Sequence, residues 1–169
     1  RGCAWYLAQD VLNPPPLIWA ELSDFMIKQC KKTIVQNDTR LSPLKDYMAF
    51  LGFMWGFGKT LVVDPTSAIL QDIPYIMETN EKLSIKLFIE RLAKYIPVLD
   101  EGAYRKNVEN ELNPDRWKRN DNNTLSHSLE WAMSRLQLSK KIELSKVDDT
   151  PSYNFRLFEE EQYSHIKFL

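Results

Sequence analysis

Residue types that commonly build catalytic and metal centres are scarce in this sequence. It contains two histidines, His127 and His165, and two cysteines, Cys3 and Cys30, which lie far apart without CxxC spacing. A metal site would have to recruit carboxylates, because neither histidine has a spaced partner. The serines and threonines form no nucleophile-elbow motif. We therefore expect no enzymatic activity, no metal and no cofactor, and we expect both cysteines to be buried thiols.

A strong net charge and a long hydrophobic run are also missing. The net charge is −1, so any binding of nucleic acid must come from a local basic patch rather than from a global field. The most apolar segment, residues 48–57, is too short to span a bilayer and is interrupted by glycines. With no signal-peptide pattern, we expect a cytoplasmic protein without membrane contact. The start at Arg1 rather than methionine suggests a piece of a longer protein.

The last third of the chain predicts a helix followed by a two-stranded hairpin. Apolar residues recur at helical spacing after Thr124, which is placed to cap the helix: Leu125, Leu129, Ala132 and Leu136. Residues 142–144 alternate as in a half-buried strand, and residues 148–151 have turn chemistry. Residues 153–158 are the predicted returning strand.

Two helices are predicted ahead of this unit, an amphipathic one over residues 85–96 and another over 103–112. Helix, helix, helix, hairpin is the order of a winged-helix domain. We therefore predict a mainly α fold with a small β wing: a helical domain over residues 1–78, which could be a degenerate winged helix, and a winged-helix domain with a C-terminal tail over residues 79–169.

Within the first domain, proline marks two predicted helix starts. Ser42 is followed by Pro43, and Asp64 is followed by Pro65 and then by threonine, so each pair offers a capping side chain and then a residue suited to the first turn. The first of these helices is expected to run to Gly56, and the second to about residue 70, where Pro74 and its neighbours follow. Residues 61–63 are predicted as a short strand.

The segment GFMWGFGKT resembles a phosphate-binding loop only superficially. A P-loop needs a glycine five positions before the glycine of GKT, and Phe53 stands there. The predicted order is also wrong, because a helix rather than a strand precedes the segment. We expect Gly56–Thr60 (residues 56–60) to bind no nucleotide.

A local basic patch is the strongest candidate for a binding site. Cations cluster along the predicted winged-helix domain, and a winged helix would present several of them to phosphates. The predicted DNA-binding residues are Arg105, Lys106, Arg116, Lys118, Arg119, His127, Arg135, Lys140, Lys141 and Lys146.

The outward face of the third predicted helix contains residues that favour DNA contact and residues that oppose it. Glu130 would repel phosphate there, although a carboxylate can accept a hydrogen bond from cytosine. His127 on this face is either a DNA contact or a solvated surface histidine. Trp131 is large for an exposed position, which makes it a candidate protein contact or, alternatively, a residue at the rim of the core.

Scattered blocks of the sequence resemble the DpdG proteins, which are encoded in bacterial islands that place 7-deazaguanine derivatives in DNA and restrict unmodified DNA. The blocks are WYLAQDVL, QNDTRLSPLKDYMAFLGF, DPTSAI, PVLDEGAYRKNVE, LSHSLEWAMSRLQL and YSHIKF. The resemblance implies an accessory or restriction role beside ATP-driven and nuclease partners, and an N-terminal portion absent from this chain. It carries over no catalytic residue.

Two hypotheses follow. In the first, the chain is a non-catalytic component of a DNA modification-restriction system for phage defence, and it contacts double-stranded DNA and other proteins of the defence complex. In the second, it is a winged-helix adaptor that assembles a larger complex without touching DNA.

Overall fold

The structure is a computed structural model that describes residues 1–57, 60–118, 121, 123–157 and 160–169. Its helices are α1 (Gly2–Leu7), α2 (Trp19–Gln29), α3 (Asp38–Phe50), α4 (Thr66–Ile76), α5 (Ile85–Tyr95), α6 (Ala103–Glu109) and α7 (His127–Leu138). Its strands are β1 (Met54–Phe57), β2 (Thr60–Val63), β3 (Lys82–Ser84), β4 (Ile142–Ser145), β5 (Tyr153–Phe155), β6 (Glu161–Tyr163) and β7 (His165–Phe168).

The described strands form three small antiparallel sheets. β1 pairs with β2, β5 pairs with β6, and a three-stranded sheet has the order β3-β7-β4. The fold is therefore mixed α/β. None of the helices in the described ranges has the length and hydrophobicity needed to cross a bilayer.

One hydrophobic cluster connects the elements. α4 packs against both α5 and α7, while α1 packs against α3 and α6. Trp5, Leu22, Met48, Phe88 and Leu129 are all fully buried members of this cluster. Burial of apolar surface on this scale is the main force that holds small helices of six or seven residues in place, because such helices are marginal by themselves.

In the N-terminal half, the predicted strand over residues 61–63 is confirmed, but the helix boundaries differ from the prediction. α3 begins at Asp38, because the Asn37 side chain accepts a hydrogen bond from the Arg40 amide, and Pro43 lies inside the helix. α3 ends at Phe50 rather than at Gly56, because Gly52 turns the chain at a φ of 74° into the β1–β2 hairpin. α4 likewise continues through Pro74 to Ile76.

In the C-terminal half, the amphipathic helix over 85–96 and the apolar stripe of the last helix are confirmed. Leu129 and Leu136 of that stripe are at most 1% exposed, whereas Leu125 is buried at 2% but precedes α7. The cap of α7 is Ser126 rather than Thr124, since the Ser126 hydroxyl accepts from the Leu129 amide at 3.3 Å.

The predicted hairpin pairing is wrong. Strand β4 was predicted correctly, but its partner is β7, with Leu144 opposite the fully buried Ile166. The expected partner, β5, pairs with β6 instead, through a second hairpin inserted between β4 and β7. Turn chemistry marks where a chain can reverse, and it does not specify which later strand pairs with which.

Truncating Leu129 to alanine should lower the free energy of unfolding by about 2–5 kcal/mol, because the side chain is fully buried in the shared core. Urea unfolding measures the change. Leu138→Ala is the matched control on the same helix, since Leu138 is 78% exposed and its truncation should stay within about 0.5 kcal/mol. Equal effects of the two substitutions would contradict the packing of α7.

Candidate nucleic-acid interface

The carbonyl end of α1 connects the N-terminal segment to the C-terminal half of the chain. α1 has only six residues, so its last carbonyls lack partners within the helix. The Ser128 hydroxyl donates to the Leu7 carbonyl at 2.7 Å, and the Trp117 indole Nε1 donates to the Ala8 carbonyl at 2.9 Å. These two bonds fix the segment after α1 beside the start of α7.

A cleft of about 1460 Å³ opens where these segments meet. Residues between Ala8 and Pro16 form one wall, and the polar side of α5 contributes another. The turn before α6, α6 itself, the connection that leads to α7 and the first residue of α7 also contribute, together with Phe25 and Gln29 of α2 and with Pro151 and Tyr153.

A hydrogen-bonded carboxylate lies in this cleft. Asp100 accepts from the Ser126 amide at 2.7 Å and from the Ser126 hydroxyl at 2.5 Å. The buried Arg105 guanidinium lies 3.8 Å from Asp100 and donates to Glu109 at 2.6 Å. Each charge in this group therefore has an opposite charge as its partner, as buried charges require.

A histidine–carboxylate contact also connects the start of α7 with the segment after α1. His127 Nδ1 lies 2.7 Å from Asp10 Oδ1, and the same oxygen accepts from the Leu12 amide at 2.9 Å. Both side chains are about two-fifths exposed, at 41% for His127 and 42% for Asp10. The prediction that His127 lies on the outer face is therefore met only in part, because the ring is held by a carboxylate.

A tight turn positions Asp100 and Arg105. The Tyr104 and Arg105 amides both donate to the Pro97 carbonyl, at 3.0 and 3.2 Å. A Cβ on Gly102 would lie 2.3 Å from that carbonyl oxygen, so only glycine fits here. Glu101 beside it has a φ of 63°, in the left-handed region.

Five of the ten predicted DNA-binding residues line this cleft, and they come from three separate segments of the chain. Arg105, Lys106, Arg116, Lys118 and His127 all contribute to the lining. Lys106, Arg116 and Lys118 are exposed, whereas Arg105 is buried and so belongs to the hydrogen-bonded interior of the site. Arg119 falls outside the described residues.

Two further cations in the lining, Lys86 and Lys94, were missed by the sequence analysis. They lie eight residues apart on the polar face of α5, with Glu90 between them. That helical spacing was a usable signal, because residues at i, i+4 and i+8 share a face. The lining also contains carboxylates, among them Asp10, Glu101 and Asp121, and Lys106 pairs with Glu101 at 2.7 Å.

The remaining predicted cations do not contribute to the cleft lining. Arg135 forms an ion pair with the buried Asp64 and lies over the Trp55 ring at 6.0 Å. Lys140 and Lys141 are exposed between α7 and β4, and Lys146 follows β4, where it donates to Gln162 at 3.0 Å. The predicted patch is thus divided between the cleft and the β4 side of the molecule.

The expectation that Glu130 faces outward is wrong. Glu130 is 3% exposed, and its Oε1 accepts from the backbone amides of Arg156 and Leu157, the latter at 2.5 Å. Burial raises the pKa of Glu130, while the two amide donors and nearby positive charges partly offset that effect. Trp131 next to it is partly exposed, and its role as a protein contact stays a prediction.

No group of three or more potential metal ligands occurs within the described ranges. Both cysteines are free and partly buried, and burial raises the pKa of Cys30 to about 11. A thiol with such a pKa is protonated at neutral pH and is a poor nucleophile.

Replacing Gly102 with alanine should destabilise the protein by about 1–3 kcal/mol, since the added methyl group would collide with the Pro97 backbone. Thermal or urea unfolding measures the cost. The control is Gly2→Ala, where the new Cβ would meet only the flexible Leu44 side chain and alanine favours the helix, so the change should stay within about 1 kcal/mol. A neutral Gly102→Ala variant would contradict the geometry of this turn.

The stability advantage of Glu130→Gln over the unsubstituted protein should grow from about pH 4 to about pH 7. Because the folded-state pKa of Glu130 is raised, the folded state binds more protons than the unfolded state between the two pKa values, and stability falls as pH rises through that range. Glutamine does not titrate, and its Oε1 can accept from the same two amides. Urea unfolding across this pH range measures the difference, and a difference independent of pH would count against a buried, titrating Glu130.

Comparison with known proteins places the chain in a family. Residues 1–150 match the family model described as DpdG-like. The chain therefore belongs to the DpdG-like family, and the resemblance inferred from its sequence blocks is confirmed. Membership connects it with the Dpd system of 7-deazaguanine modification. No curated protein and no solved structure matches the chain.

Proposed function

We propose that the chain is a cytoplasmic, non-catalytic, DNA-contacting component of the Dpd modification-restriction system, and that the cleft carries the contact. One observation supports this most strongly: exposed cations from three segments converge on the cleft rim. Lys86 and Lys94 come from α5, Lys106 comes from α6, and Arg116 and Lys118 come from the following connection. Phosphate contacts supply most of the affinity of such interfaces, and they need cations in this arrangement.

The connectivity of the C-terminal half supports a winged-helix module. We assign α4, β3 and α5 to its first part and α7, β4 and β7 to its second part. The sheet order β3-β7-β4, in which the last strand lies between the other two, fits this assignment. α6 and the connection after it lengthen the segment between α5 and α7, and the β5–β6 hairpin lengthens the wing.

Contact through the cleft is favoured over insertion of α7 into a major groove. Base readout needs side chains that are free to donate or accept at base edges. On α7, however, His127 is held by Asp10, Arg135 pairs with Asp64, and Glu130 is buried under residues 156 and 157. The cations at the rim of the cleft are more accessible, because Lys86, Arg116 and Lys118 are exposed.

The adaptor hypothesis has its own supporting observation. Tyr47 and Phe50 of α3 and Leu51 at its C-cap are exposed apolar residues, and Phe50 is 86% exposed. Exposed aromatic residues grouped on one helix are typical of protein contacts. In this alternative, the chain assembles other components of the Dpd system through α3 or through Trp131 and does not touch DNA.

Charge reversal distinguishes the cleft from the β4 side. Arg116→Glu/Lys118→Glu should reduce DNA affinity strongly and lower the slope of log affinity against log salt by about 2 on duplex, or about 1.4 on single strands. Lys141→Glu/Lys146→Glu is the matched control with the same change in net charge, and it should have a much smaller effect. Fluorescence anisotropy across a salt series, with duplex and single-stranded DNA, measures both variants.

Two other outcomes would contradict this proposal. Loss of DNA binding only in Lys141→Glu/Lys146→Glu would show that the DNA contact lies on the wing rather than in the cleft. Absence of measurable DNA binding by the unsubstituted protein at low salt would reject the DNA hypothesis and favour the adaptor.

A further inference from the structure

The dimensions of the cleft restrict the form of DNA that it can hold. Small-ligand pockets have volumes of about 300–1000 Å³, so a cleft of about 1460 Å³ has room for a few nucleotides. A turn of B-form duplex, with a major groove about 12 Å wide and two backbones beyond it, occupies more than this volume. A duplex could touch only the rim, whereas a single strand could enter.

Aromatic rings are placed inside the cleft as stacking surfaces. Phe25, Trp117 and Tyr153 all contribute to the lining, and each is partly buried. Trp117 is held in one orientation by its indole bond to the Ala8 carbonyl at 2.9 Å, and Phe25 packs edge-to-face on Trp5 at 6.1 Å. Fixed rings of this kind bind bases without sequence preference, because every base has a flat π face.

Exposed charges of both signs line the cleft, since Glu90, Glu101 and Asp121 are exposed as well as the lysines, and the cations are the groups that suit a phosphate backbone. The exposed cations Lys86, Lys94, Arg116 and Lys118 can meet phosphates. The less exposed Asp100 would repel phosphate, but carboxylates accept hydrogen bonds from the N–H groups of base edges. Burial raises the pKa of Tyr153, and the charges of Glu101, Glu90 and Asp100 raise it further, so this ring lies among the acidic groups of the cleft.

We infer that the cleft binds an unpaired segment of DNA, with phosphates on the rim cations and bases stacked on Trp117 and Tyr153. The inference rests on the proposed function, since it specifies which form of DNA the same cleft accepts. It requires no catalytic step and no cofactor.

The test compares a labelled single strand of about 12 nucleotides with its duplex and with an RNA strand of the same sequence, all on the full chain. The unsubstituted protein should bind the DNA strand more tightly than the duplex. Tyr153→Leu should weaken single-strand binding by about 5- to 150-fold, the range measured for one stacked base, while Tyr153→Phe, which keeps the ring, should bind normally. Tyr104→Leu is the control, because Tyr104 is an exposed aromatic residue of α6 that does not contribute to the lining.

Trp117 provides a second readout that does not depend on Tyr153. A stacked base should quench Trp117 fluorescence, so the quenching seen on adding the single strand should largely disappear in Trp117→Phe. Thermal unfolding of each variant separates a binding defect from a folding defect.

The outcomes separate this inference from the proposed function. Duplex binding at least as tight as single-strand binding, lost in Arg116→Glu/Lys118→Glu but unchanged in Tyr153→Leu, would overturn the inference and leave the proposed function standing. A preference for the RNA strand of tenfold or more would overturn the assignment to DNA. Absence of binding to every form of DNA would reject both.

Discussion

The carbonyls at the end of α1, which have no donor within the helix, are the constraint on which the rest of the structure depends. A buried carbonyl without a partner costs about 1–3 kcal/mol, so the ends of a buried six-residue helix need donors from elsewhere in the chain. Those donors are Ser128 and Trp117, more than a hundred residues away. The other side of α1 is held by a buried amide chain, in which Trp5 donates to Gln29 and Gln29 donates to Gln9, each at 2.8 Å. The N-terminal and C-terminal segments are therefore joined by specific polar contacts as well as by apolar packing.

The cleft is a consequence of this arrangement. Once the segment after α1 lies beside the start of α7, Asp10 can reach His127, and the connection between α6 and α7 has to pass around them. Cations of that connection and cations of α5 both contribute to the lining of the cleft. Two acidic residues of the cleft are held by partners, Asp100 by Ser126 and Arg105 and Asp10 by His127. Among the described residues, the cleft lining contains as many carboxylates as lysines and arginines, so phosphate contact there depends on individual exposed cations rather than on a net positive field.

Family membership and geometry support different parts of the functional conclusion. The DpdG-like match over residues 1–150 connects the chain with the Dpd system, and it assigns no chemistry to any residue. The assignment of a contact surface rests on the cleft alone. The exposed face of α3 is separate from the cleft lining, so one molecule could hold a nucleic acid and a protein partner at once. A role in assembly would then complement DNA contact rather than replace it.

The sequence by itself determined the local features of this protein. Apolar spacing identified α5 and α7, because one face of a helix must be buried whatever it packs against, and alternation identified β4. The cations at 106, 116 and 118 could be named in advance because charged side chains are mostly exposed, although Arg105, which was named with them, is buried. The tertiary structure alone decided the pairing of β4 with β7, which depends on a strand twenty residues further on and separated by an inserted hairpin. It also decided that Glu130 is buried, because the residues that cover it, 156 and 157, come from that insertion. Packing between distant segments likewise brought Lys86 and Lys94 to the cleft, and no spacing within a single segment encodes such a meeting.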